Sequence, residues 1–181
     1  MAPIEFPIKT RRLVLRPYAP GDLDFLVDLH GRADVVEYLL FDVRDRDEVA
    51  EALRQRLGQT SIEGGKVTLA ITVDGTVVGD VVLMHASVEH RTAEVGWVLH
   101  PDHHGHGYAT EAATALVDLA FEDLGMHRVI ARLDAENTAS VAVCERLGLR
   151  REAHFRQSEF IKGRWADEVV YAVLADEWVT R

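Results

Sequence analysis

The chain has 181 residues, 48% hydrophobic and 28% charged, with one cysteine, Cys144. That length and composition predict one globular domain over residues 1–181 and exclude a fibrous, disordered or disulfide-stapled protein. The formal net charge of −10 argues against a nucleic-acid binder and suits a cationic partner. No run is long enough to cross a bilayer, and Met1 to Thr10 lacks the layout of a signal peptide, so a cytoplasmic protein away from membranes is expected.

In chain order, Arg12-Leu13-Val14-Leu15-Arg16 reads as a half-buried first strand, closed by Pro17 and Pro20. Asp22 stands where it would start a helix carrying Leu23, Leu26, Val27 and His30 on one face. Asp45 and Glu48 form a capping pair for a second helix with Val49, Leu53 and Leu57 at helical spacing. Val67 to Val73 and Thr76 to Met84 are β-branched runs around Asp74-Gly75, which predicts an antiparallel hairpin. Thr92 to Leu99 reads as a further strand, with Val95, Trp97 and Leu99 on one face and Glu94, Gly96 and Val98 on the other.

Pro101 ends that strand, and His104-Gly105-His106-Gly107-Tyr108-Ala109 leads into a helix whose stripe runs Ala113, Leu116, Ala120 and Leu124 and stops at Gly125. Small residues at a helix start leave backbone N–H groups uncovered at the positive end of the helix dipole. Such a turn binds anions, and a pyrophosphate of a nucleotide-containing cofactor is the expected occupant. Arg128 to Leu133 reads as a strand, parallel to the one before the turn because a helix joins them. Asn137 caps a short helix burying Ser140, Val143, Cys144 and Leu147, and Gly148 ends it. Leu149 to Phe155 and Trp165 to Leu174 form the last strands, turning near Lys162-Gly163. The fold class is α/β, a mixed, mostly antiparallel sheet with a parallel strand–helix–strand unit and helices on its faces.

The opening Thr10-Arg11-Arg12-Leu13-Val14-Leu15-Arg16-Pro17, the strand Ala93-Glu94-Val95-Gly96-Trp97, the turn His104 to Ala109 and Asn137-Thr138-Ala139-Ser140 followed by Leu147-Gly148 resemble the GCN5-related N-acetyltransferase superfamily (GNAT). Within it they look most like the branch of the ribosomal-protein alanine acetyltransferases RimJ and RimL. The resemblance implies acetyl-CoA as cofactor, with pantetheine along Trp97, Val98 and Leu99 and the phosphates on His104, Gly105, His106, Gly107, Tyr108, Ala109 and Thr110; Asn137 and Ser140 complete that site. The family's turn begins with Gln or Arg, and here that position is His104, which leaves phosphate contact to backbone N–H groups, helped by the imidazole when it is charged.

The resemblance also implies direct attack of a primary amine on the acetyl carbonyl, which requires a base for the amine and an acid for the departing thiolate. The Tyr that many members use as acid is Cys144 here. Ser140 is the acid candidate from the ribosomal-protein branch, and Glu159 in the final hairpin the base. Glu94, beside the reaction centre, is the rival base. Asp167 is a candidate for the substrate ammonium, with Phe160 and Trp165 lining the acceptor pocket. The acceptor is a protein N-terminus or a small-molecule amine, and Trp178 and Phe160 are candidate contacts for a homodimer, which members of the family often form. An alternative is a non-catalytic acyl-CoA sensor of the same fold. His100, His103, His104 and His106 do not have the spacing of a metal site, and the glycine turn lies too late in the chain for a dinucleotide-binding protein.

Overall fold

The Asp74-Gly75 turn pairs β3 (Lys66–Val73) with β4 (Thr76–Ser87), and both turn residues hold positive φ, 49° and 82°, as a tight antiparallel hairpin requires. Six more strands extend this pair in the computed structural model, which describes residues 4–178. They are β1 (Ile8–Lys9), β2 (Val14–Pro17), β5 (Thr92–Leu99), β6 (Arg128–Asp134), β7 (Arg150–Ile161) and β8 (Arg164–Leu174). The order is β1-β2-β3-β4-β5-β6-β8-β7, and β5 with β6 is the parallel pair.

Strand alternation divides the core in two. Leu69, Ile71, Leu83 and Val95 are buried on the face covered by α4 (Tyr108–Asp118) and α5 (Thr138–Arg146). Ala70, Val77 and Val98 turn the other way, under α1 (Leu23–His30) and α3 (Arg46–Arg56). The Asp45 cap forms as its sequence requires, with Oδ1 accepting from the N–H of Asp47 and Glu48 while Glu48 Oε2 accepts from Asp45 N. α3 is also tied to β4 by a buried polar link, in which Tyr18 Oη and Arg56 Nη1 both donate to Asp80 Oδ2, at 3.0 and 2.8 Å.

Several expectations change. Asp22 does not cap α1: its carboxylate accepts both terminal nitrogens of Arg16 at 2.8 Å and the Ala19 N–H, so a bidentate ion pair replaces the cap. A short helix α2 (Ala33–Val36) follows α1. After α4 the chain makes one π-helical turn, Leu119–Asp123, before Gly125 at φ 63° ends the stripe. β7 runs to Ile161, past Phe155, because a bulge between Phe155 and Glu159 lets pairing with β8 resume. Trp178, in α6 (Ala175–Trp178), is not an exposed contact: its Nε1 donates to Asp118 at 2.7 Å and its ring packs on Phe121.

Gly79 on β4 stands opposite Leu99, where a Cβ would lie 2.2 Å from Val98 O and 2.9 Å from Leu99 Cα. Gly79→Ala must therefore push the end of β5 away from β4. A loss of about 2–3 kcal/mol in urea unfolding is expected, with a weaker hold on any ligand that uses this strand end.

Candidate active site

β5 pairs with β4 along its whole length but with β6 over three positions only, Thr92↔Arg128, Ala93↔Val129 and Glu94↔Ile130. Beyond Glu94 the two strands diverge. His100 N donates to Val78 O at 2.9 Å, so by alternation Val98 and Gly96 direct their backbone polar groups at β4. Trp97 and Leu99 direct theirs at the gap. A strand edge of this kind offers donors and acceptors to an amide-bearing chain.

The turn after β5 is shaped by Gly105 and Gly107, at φ 77° and 78°, a left-handed backbone in which glycine is unstrained. Gly107 is the N-cap of α4, and no side chain caps it. The turn is braced from behind by the start of the chain. Glu111 accepts Thr10 Oγ1 at 2.6 Å, Arg12 N at 2.8 Å and Arg12 Nε at 2.7 Å, and Arg12 Nη1 donates to His106 O at 2.8 Å. Arg12 and Glu111 thus hold the turn open toward solvent, a role that the alternation of the first strand gave no sign of. The His106 ring stacks on Tyr108 and does not line the cleft. His104 does line it, but its Nε2 lies 3.1 Å from Leu99 O, so the ring donates back to the strand end.

A cleft of about 510 Å³ passes through the gap between the strands. On the α4–α5 side it is lined by Tyr108, Thr110, Asn137, Ser140 and Arg146; on the other by Val98, Asp34 and Val35 of α2, and Tyr38 just beyond it. Asn137 Oδ1 accepts Ser140 N at 3.1 Å, which fixes the start of α5 and places half-buried Ser140 in the cleft. Cys144 points instead into the core, fully buried, and burial pushes its thiol up to about 12. It packs as a small hydrophobe. The α2 residues were missed because a four-residue helix has too few positions to show a period.

Glu94 stands where the strands part. Its Oε2 is 3.2 Å from Arg132 Nε, which also lies 3.7 Å from Glu168 Oε1. Burial raises the Glu94 carboxyl above its ordinary value; Arg132 opposes the rise, while the charges of Glu168 and Glu159 add to it. Glu94 therefore has the environment of a proton acceptor where the strands part, although it does not line the cleft. The other hairpin candidates stand elsewhere. Phe160 and Trp165 pack edge to face on each other and remain 62% and 59% exposed, and neither lines the cleft. Asp167 accepts His154 Nε2 and Gln157 N, both at 2.8 Å, and these bonds hold its carboxyl below its ordinary value. It braces the β7 bulge. The hairpin tip still approaches the cleft, since Lys162 Nζ donates to Val36 O on α2.

An open strand edge, a glycine turn at a helix start and a cleft running between them define a protein able to take an extended, amide-bearing anion. The family model for the acetyltransferase (GNAT) domain matches residues 12–150, and the chain belongs to this family. It is 29% identical to the uncharacterized N-acetyltransferase YnaD of Bacillus subtilis over 171 residues, 94% of this chain and 98% of that one. A GNAT-family acetyltransferase from Bacillus anthracis superposes with a TM-score of 0.87 at 30% identity, covering 95% of this chain and 100% of that one. The spermidine N(1)-acetyltransferase of Vibrio cholerae is 26% identical over 94% of this chain and 97% of its own length. Its solved complex with CoA and spermine has a TM-score of 0.80 over 94% of this chain and 99% of that chain, at 24% identity. The chain is an acetyltransferase and acetyl-CoA is its cofactor. The site fits it, with an unpaired edge for the pantetheine amides and free N–H groups at a helix start for the phosphates.

With its thiol buried and its proton held so firmly, Cys144 should be dispensable for chemistry. Cys144→Ala is expected to leave kcat and its pH dependence unchanged while lowering stability by about 1 kcal/mol, read from turnover assays and urea unfolding of the same protein.

Proposed function

We propose that the protein acetylates the primary amine of a small cationic acceptor, by direct transfer within a ternary complex. One observation carries this reading: the cleft runs through the sheet, with Ser140 and the glycine turn on one side and Asp34, Val35 and Tyr38 on the other, while outside its lining the Glu94, Glu159 and Glu168 carboxylates cluster around Arg132. Acetyl-CoA supplies the activated acetyl group. Trp97 and Leu99 hold the pantetheine by backbone hydrogen bonds and so fix where the thioester lies. Ser140 is the proton donor to the departing sulfur, since it faces the cleft where Cys144 does not.

Glu94 is the base. An amine approaching between α2 and the hairpin tip arrives as an ammonium, and a half-buried carboxyl with a raised proton affinity takes its proton directly or through one water. Glu159 and Glu168 keep the approach negative, which attracts a cation and repels an acidic substrate. The likeness to a spermidine N(1)-acetyltransferase and the net charge of −10 support a small cationic amine over a protein N-terminus. The ribosomal-protein branch remains the second reading on the motifs of the sequence.

The test is CoA release over an amine series that includes spermidine, spermine, and peptides beginning with Ala or Ser. Turnover of the small amines is expected; turnover of the peptides alone would return the protein to the ribosomal-protein branch. A base acts unprotonated, and a carboxyl with a raised value loses its proton later, so kcat/KM should climb with pH through that raised value. Glu94→Gln should lower kcat about 100-fold or more and abolish this limb. Glu159→Gln should keep it.

A further inference from the structure

CoA brings several phosphate charges to a chain of net charge −10, and backbone N–H groups carry no full charge to meet them. Among the described residues lining the cleft, Arg146 is the one Lys or Arg. It closes α5, and its Nε donates to Thr110 Oγ1 at 3.2 Å, which draws the guanidinium over the first turn of α4. This hydrogen bond leaves Nη1 and Nη2 unspent, and no carboxylate among the described residues pairs with the charge.

The other groups near the turn are committed. Arg12 is neutralised by Glu111, with Nε 2.7 Å from Oε2, and lies outside the cleft lining. His104, at the position where the motif has Gln or Arg, turns its Nε2 to Leu99 O at 3.1 Å. We propose that Arg146 is the cationic phosphate ligand of the acetyl-CoA site, reaching from α5 to take the part that the side chain at position 104 does not. Thr110 is its positioning residue: by holding Nε it orients the guanidinium, so that the two terminal nitrogens present a fork to phosphate oxygens.

Calorimetric titration with CoA at two ionic strengths tests this on wild type, Arg146→Gln, Arg146→Lys and His104→Ala. Arg146 is exposed at the end of its helix, so these changes leave the core intact, and a thermal melt of each variant verifies it. Gln retains a donor for Thr110 but removes the charge. Arg146→Gln should raise the Kd about tenfold or more and flatten its dependence on salt. Arg146→Lys should recover part of the affinity, and His104→Ala should stay within about twofold of wild type. Repetition with 3′-dephospho-CoA identifies the phosphate: a loss that persists assigns Arg146 to the pyrophosphate, and one that vanishes assigns it to the 3′-phosphate. An Arg146→Gln Kd within about twofold of wild type, or a His104→Ala loss as large as that of Arg146→Gln, overturns the proposal.

Discussion

The parting of β5 from β6 after Glu94 is the constraint on which the rest of the site depends. A strand in the middle of a sheet normally spends every backbone polar group on its neighbours, and leaving several unpaired in a buried setting is costly. Here the cost is contained, because the gap adjoins an open cleft and one carbonyl, Leu99 O, is already met by His104. The divergence has to be held from the β4 side. Gly79 allows that, since the missing Cβ lets the end of β5 lie close against β4.

The same geometry puts unlike groups beside one another. Strand β5 ends eight residues before Gly107, so the open edge and the positive end of α4 adjoin, and a ligand that lies on one must meet the other. Side-chain alternation along β5 then separates the tasks. Trp97 and Leu99 face α4 and α5, while Glu94 faces the side where α2 and the hairpin tip close in. Arg132 keeps Glu94 from becoming a fully isolated buried charge, yet it is shared with Glu168, so the pair does not cancel the proton affinity that burial creates.

Most of the sheet was legible in the sequence where local chemistry and period agreed. Asp74-Gly75, the Asp45–Glu48 cap, the Thr92 to Leu99 alternation and the Asn137 cap each use groups within a few residues of one another. What the sequence hid was long-range. Asp22 reads as a cap until Arg16 claims both of its oxygens, and Asp167 reads as an open charge until the β7 bulge brings Gln157 N–H and His154 to it. Arg12 with Glu111 spans 99 positions, and Arg146 with Thr110 spans 36. No motif couples such pairs. The site was therefore readable as a glycine turn and a strand, but the side-chain pairs that brace it were not.

Where the cofactor lies fixes every other part of the site, and amide hydrogen exchange with and without CoA measures that position residue by residue. Slowed exchange is expected at the gap-facing Trp97 and Leu99 and at the turn amides from Gly105 to Ala109, with the β1–β2 end of the sheet unchanged. Protection centred away from β5 and the turn, for instance in the groove between β1 and α4 that is lined by Ile8, Thr114 and Leu119, would contradict it.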